Sequence, residues 1–151
     1  MSPANAMLLN DTWMFGGNSW SLHYLSFLIR HFPSACLLDP EGTPISWCLS
    51  DPLAVLTHSY TLPQHRGLRL MGCTMGTLAA QLHTHSFPVY TRVLLHNETS
   101  LHNLQRLSFR ILPGVFYLLV VRPGFAQSQP ASALDSAQDP VPSSGEQPRA
   151  Q

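Results

Sequence analysis

Between residues 19 and 31 apolar side chains recur at helical spacing. Leu22, Leu25, Phe27, Leu28, Ile29 and Phe32 fall close to that spacing, and Pro33 closes the run, which predicts a helix. Two short apolar runs follow, 35–39 and 44–50. The Pro40-Glu41-Gly42-Thr43 stretch between them predicts the turn of a hairpin. Asp51-Pro52 is another break, and 53–62, rich in Val, Thr and Tyr, predicts a third strand. Beyond an interruption at 63–67, Met75, Leu78 and Leu82, with Leu70 or Met71, line one face of a helix reaching about His83. Gly72 and Gly76 lie a turn apart on it. Each weakens the helix by about 1 kcal/mol against Ala, which predicts close packing against the sheet. A strand at 87–95, a short helix at 97–107, and final strands at 109–112 and 115–121 around Pro113-Gly114 complete the pattern. Helix, three strands, helix, strand, helix and two strands predict an α/β fold with a mixed sheet.

Composition narrows the function. A chain of 151 residues, 44% of them apolar, suits one domain with a real core. Only 11% are charged; all eight basic side chains are Arg, and eight acids balance them. Such neutrality offers no footprint for nucleic acid or an anionic membrane, so neither is expected as a partner. No apolar run reaches the roughly 18 residues of a membrane helix. Cys36, Cys48 and Cys73 form no C-x-x-C pair, so no zinc site is expected, and they read as reduced, buried thiols. The N-terminal residues show neither a secretory signal nor the Arg-rich pattern of mitochondrial import, and sequons at Asn10 and Asn97 read as chance. After Pro123 the chain turns to Ala, Gln, Ser, Pro, Gly and Asp, with Phe125 its only aromatic, which predicts a disordered tail. The expected layout is an N-terminal segment 1–12, a domain 13–123 and a tail 124–151.

The chemically informative junction follows the third strand. Gln64, Arg66, Gly67, Leu68 and Arg69 lead directly into a helix. Free N–H groups at a helix start attract phosphate, Gly67 permits close backbone approach, and Arg66 and Arg69 can grip phosphate oxygens. The same residues also describe an ordinary helix start with two exposed arginines.

The sequence resembles the C-terminal half of the glycine N-acyltransferases, which share the GCN5-related N-acetyltransferase fold: a mixed sheet flanked by helices. The resemblance runs from about Asn10 to Leu112. It rests on Trp13-Met-Phe-Gly-Gly-Asn18, Phe32-Pro33, Pro40-Glu41-Gly42-Thr43-Pro44, Ser46-Trp47, Thr61-Leu62-Pro63, His65-Arg66, Phe87-Pro88-Val89-Tyr90 and Asn97-Glu98. It implies acyl-CoA as co-substrate, no permanently bound cofactor, and transfer of the acyl group to a small amino acid, glycine or glutamine. It further implies that backbone N–H groups of 64–71 hold the CoA pyrophosphate, that 53–62 bonds the pantetheine amides, and that Asn97 supports CoA; Asn97 also reads as a plain helix cap. The family's N-terminal half has no counterpart here, which implies a surface where it would dock. The family's association is with mitochondria; without a visible import signal, a cytoplasmic location stays open.

The sequence departs from that pattern at three positions. Arg69 stands where the acyltransferase loop usually has Gly; it either adds a phosphate contact or blocks the approach. Val55 occupies the position of the family's general-base Glu, and Leu104 that of the Tyr serving many such enzymes as general acid. His58, on the same strand, titrates near neutrality and is a weak substitute base. Regular alternation puts it on the face opposite Val55, and only a bulge would turn it. The alternatives to a working N-acyltransferase are therefore a catalytically impaired acyl-CoA-binding module and a truncated, inactive product. Deleting 124–151 is expected to leave the thermal midpoint nearly unchanged; a fall of many degrees in the shortened chain would show that the tail packs on the domain.

Overall fold

The computed structural model describes residues 1–117. Helix α1 (Ala6–Thr12) follows a single 3-10 turn at Pro3–Asn5. Helix α2 (Ser19–His31) starts at Asn18, whose Oδ1 accepts from the Ser21 N–H while Ser21 Oγ accepts from the Asn18 N–H. This reciprocal cap satisfies two otherwise free donors. Strands β1 (Ser34–Leu38), β2 (Pro44–Ser50) and β3 (Val55–Thr61) form an antiparallel meander. Helix α3 (Leu70–Thr84) crosses over to β4 (Tyr90–Thr91), which pairs parallel with β3, and α4 (Glu98–Arg106) follows. The sheet order is β1-β2-β3-β4 and the sheet is mixed, as the sequence pattern predicts.

Each face of the sheet has its own core. On one side Ala35, Cys48 and Leu56 meet Met75, Leu78 and Leu82 of α3, with Leu104 of α4. On the other, Trp47 and Leu49 meet Leu25, Leu28 and Ile29 of α2 and Ala6 and Leu9 of α1. Residues 6–12, set apart by the sequence pattern, thus supply core contacts, and Met1–Phe116 is one compact unit. Gly16 is required for this: a Cβ there would collide with the Asn10 carbonyl. The loop of 13–18 is thereby pressed onto α1.

Several expected elements differ. The strand expected at 87–95 is two residues long. Residues 109–112 form no strand, nor do 115–117; the rest of that last expected strand, and the tail 124–151, lie outside the described residues. The two helix glycines do not touch the sheet. Gly72 packs on Leu107, whose Cδ2 would lie 3.2 Å from an added Cβ, and Gly76 faces open space.

The largest departure from regular structure lies within β3. Trp47 pairs with Tyr60 and Leu49 with Thr57, so Cys48 faces both His58 and Ser59. This is a β-bulge, and His58 sits in it with φ at +50°. A non-glycine residue held there costs on the order of 1–3 kcal/mol. Packing offsets the strain, since the imidazole meets the Trp13 ring edge-on at 4.5 Å between centroids, with Tyr24 at 6.0 Å. The bulge thus turns His58 to the α2 side of the sheet, the face that Val55 shares.

Burial holds the His58 imidazole at about 4, against a weaker opposing pull from the Asp51 carboxylate. An unfolded chain takes up this proton near pH 6.5, whereas the folded chain refuses it until about pH 4. The folded state therefore holds the full benefit above pH 6.5 and loses up to about 3 kcal/mol as the pH falls from there to 4. His58→Asn tolerates the left-handed backbone and does not titrate. Between pH 6.5 and 4 its thermal midpoint is expected to fall less than the parent's; equal slopes in the two melting series would contradict a buried neutral His58.

Candidate functional site

An open cleft of about 900 Å³ lies between the C-terminal half of β3, the start of α3 and the inner face of α4. It exists because β3 and β4 diverge. Their pairing is confined to Val55 with Tyr90 and Leu56 with Thr91. From Thr57 onward the β4-facing edge of β3 has no strand beside it among the described residues, and Ser59, Tyr60 and Thr61 of that stretch line the cleft.

The loop between β3 and α3 forms its mouth. A 3-10 turn at Pro63–His65 ends in Arg66, then Gly67 at φ +81° and Arg69 at φ +59° wind the chain into α3. No side chain caps α3. The N–H groups of Gly67, Leu68, Arg69, Leu70 and Met71 donate to no acceptor among the described residues. Five donors around one helix start make an anion cradle. The left-handed turn at 69 also accounts for the glycine the resemblance leads one to expect there: that conformation suits Gly, and Arg adopts it with strain.

Arg66 is held in place before any ligand arrives. Its Nε donates to the Thr61 carbonyl at 3.1 Å and its guanidinium lies 5.3 Å from the centre of the Tyr60 ring. Tyr60 in turn stacks on buried Trp47 at 5.4 Å. The terminal guanidinium nitrogens stay available beside the cradle. Arg69 and, from the far wall, Arg106 join them, and the cleft lining contains no carboxylate. Fixed positive charge beside free N–H groups suits a phosphate-bearing ligand.

Of the residues singled out from the sequence, Arg66, Gly67, Arg69 and Asn97 come together in this cleft. Gln64 and Leu68 do not line it, and the Leu68 side chain is 64% exposed. Asn97 caps α4, its Oδ1 accepting from the Ser100 N–H at 3.1 Å. The α4 wall of Ser100, Asn103 and Arg106 was not expected from the sequence. The signal was there, because polar residues three apart share a helix face.

The far end of β3 is apolar on one side and polar on the other. Val55 is buried at 3% exposure, and Leu104 belongs to the α3-side core, so neither moves a proton. Asp51 closes the turn into β3: its Oδ1 accepts from the Leu53 N–H at 2.8 Å and from the Val55 N–H at 3.0 Å. Burial raises the Tyr24 hydroxyl above its usual range, and the negative Asp51 adds to the rise. Behind the strand, Cys48 is pushed up to about 11 by burial, although Ser59 Oγ–H donates to its sulfur at 3.1 Å.

A profile of the aralkyl acyl-CoA:amino acid N-acyltransferase family, C-terminal region, covers residues 35–119, more than half of the chain. The chain is 36% identical over 111 residues to the glycine N-phenylacetyltransferase of Bos taurus, covering 74% of this chain and 36% of that protein. Identity and coverage are the same for the human glycine N-acyltransferase. The chain therefore spans about a third of the length of these curated relatives. Among solved structures, a Drosophila protein superposes with a TM-score of 0.65 at 18% identity, covering 73% of this chain and 37% of its own. A ribosomal-protein-alanine N-acetyltransferase from Brucella melitensis superposes with a TM-score of 0.54 at 12% identity, covering 80% and 96%. These two likenesses show the acetyltransferase fold. The profile match across β1 to α4, with the relatives' identity over the same stretch, establishes that the chain belongs to the aralkyl acyl-CoA:amino acid N-acyltransferase family.

Proposed function

We propose that this protein binds acyl-CoA in the β3–α3–α4 cleft and transfers the acyl group to the amine of a small amino acid, glycine or glutamine. The observation that carries the reading is the alignment of the N–H cradle at 67–71 with the strandless edge of β3. The cradle, flanked by Arg66 and Arg69, takes the CoA diphosphate. The pantetheine arm, which carries amides, runs along the edge of β3 and bonds to backbone groups that no strand uses. Asn97 and the α4 residues close the opposite wall.

That placement brings the thioester to the point where β4 closes against β3, at Val55 and Leu56. A bound amine there attacks the thioester carbonyl, the carbon–sulfur bond breaks, and CoA leaves as thiol. Holding donor and acceptor in attack geometry supplies a large part of the rate by itself. The family's description points to aralkyl acyl groups, and the relatives' names to glycine as acceptor. The resemblance also carries a mitochondrial location, tested by whether the tagged chain co-purifies with mitochondria.

Two substitutions test the cleft. Arg66→Ala is expected to weaken acyl-CoA binding by about 1–3 kcal/mol, measured by calorimetry on a variant whose melting is checked first. Unchanged affinity would remove the loop from the site. Arg69→Gly relieves the left-handed strain, so its thermal midpoint is expected to rise by a few degrees while acyl-CoA affinity falls with the lost phosphate contact. Tighter binding by this variant would show instead that the Arg69 side chain obstructs the diphosphate.

A further inference from the structure

Coenzyme A carries two separate anionic centres. One is the diphosphate; the other is a phosphomonoester on the ribose 3′-oxygen, which bears close to two negative charges at pH 7. The cradle at 67–71, with Arg66 and Arg69, answers the first. We propose that Arg106 binds the second, so that the cleft selects CoA over ligands that carry the diphosphate alone. The proposal rests on the acyl-CoA-binding reading above.

Charge is the first argument. Six arginines fall among the described residues, and three of them, Arg66, Arg69 and Arg106, line this one cleft. No described carboxylate does; even Glu98, in the first turn of α4, stays out of the lining. Five N–H groups and two guanidinium groups already match the two charges of a diphosphate ester. A third guanidinium across the cleft exceeds that demand and calls for a second anion. Of the three arginines, only Arg66 makes a hydrogen bond among the described residues.

Placement is the second. Asn97, Ser100, Asn103 and Arg106 stand three apart and all face the cleft. Leu104 and Leu107, in the α3-side core, fix how the helix is turned. The Leu107 Cδ2 lies 3.2 Å from where a Cβ would stand on Gly72, the third residue of α3. The last turn of α4 therefore lies against the first turn of α3, and the bare Gly72 lets it come that close. Arg106, next to Leu107, is carried to the end of the cleft where the free N–H groups are. Arg66 is tied to β3 through Thr61 and Tyr60, so the two guanidinium groups approach from different walls. A phosphate set one ribose away from the diphosphate engages the second wall while the first keeps its own.

The test compares CoA with dephospho-CoA, which lacks only the 3′-phosphate, by calorimetry at pH 7. Arg106 is exposed at the rim, so solvent screens the contact, and a preference of the parent for CoA of about 10-fold is expected. Arg106→Gln is expected to remove that preference by weakening CoA and leaving dephospho-CoA unchanged. Arg66→Ala, by contrast, weakens both ligands alike and keeps the ratio. Arg106 also stands in the last turn of α4, where a cation suits the helix dipole. A purely structural role would lower the thermal midpoint without changing the ratio. Should Arg106→Gln melt early, Arg106→Lys keeps the charge at the helix end without the planar fork, and a smaller preference than the parent's is expected. Equal affinities of the parent for the two ligands overturn the assignment, as does an Arg106→Gln variant that weakens both alike, or an Arg106→Lys variant with the parent's full preference. In those cases the diphosphate reading stands. A parent chain that binds neither ligand overturns both.

Discussion

β3 and β4 hold each other through only two residue pairs, Val55 with Tyr90 and Leu56 with Thr91. A buried sheet normally continues its ladder, because backbone N–H and C=O groups left without partners are costly. Here the ladder stops, and the opening becomes the cleft. Everything else in the site is arranged around that gap: α3 begins at its mouth, α4 walls its far side, and the Tyr90 hydroxyl and Thr91 Oγ1 bond to the Leu53 and Leu56 carbonyls at 2.8 Å to hold the closed end together. A ligand with amides along its length restores the missing ladder, so affinity and sheet integrity rest on the same backbone groups.

The loop at the mouth is tied to the core by a relay of flat groups. Arg66 lies on Tyr60, and Tyr60 lies on Trp47, which is buried against the helices beneath. This ordering removes much of the conformational entropy that a long cationic side chain would lose on meeting a phosphate. On the same α2-side face, the bulge at His58 rotates one side chain out of alternation and wedges it under Trp13. Trp13, at the start of the loop of 13–18, is thereby held against β3.

How much of this the sequence disclosed follows from which residues carry their own signal. The hairpin was legible because Pro40 and Gly42 announce its turn, and α3 because Met75, Leu78 and Leu82 keep a helical period. The loop of 64–69 was legible as a strand running through Gly67 into a helix, and its phosphate-binding role is what the resemblance implies. Helix α1 was not, since seven residues behind Pro3 are too few to show a period; its stability comes from packing. The shortness of β4 was not legible either. Residues 87–95 alternate well enough for a full strand, and only the divergence from β3 stops them. The bulge left no trace, because neither Gly nor Asn marks a histidine in a left-handed turn. The positive φ at Arg69 was visible only as a departure from the glycine that related loops carry.

Cys48 acquires a different meaning once an activated thioester lies along β3. A thiolate within reach would exchange with it and carry the acyl group away on the protein itself. Cys48 stands opposite the bulge on the α3 side of the sheet, fully buried, with its thiol near 11. At pH 7 only about one molecule in 10⁴ bears the reactive anion there. Under the proposed function, the burial that makes this cysteine a good core residue would also keep it from taking the acyl group.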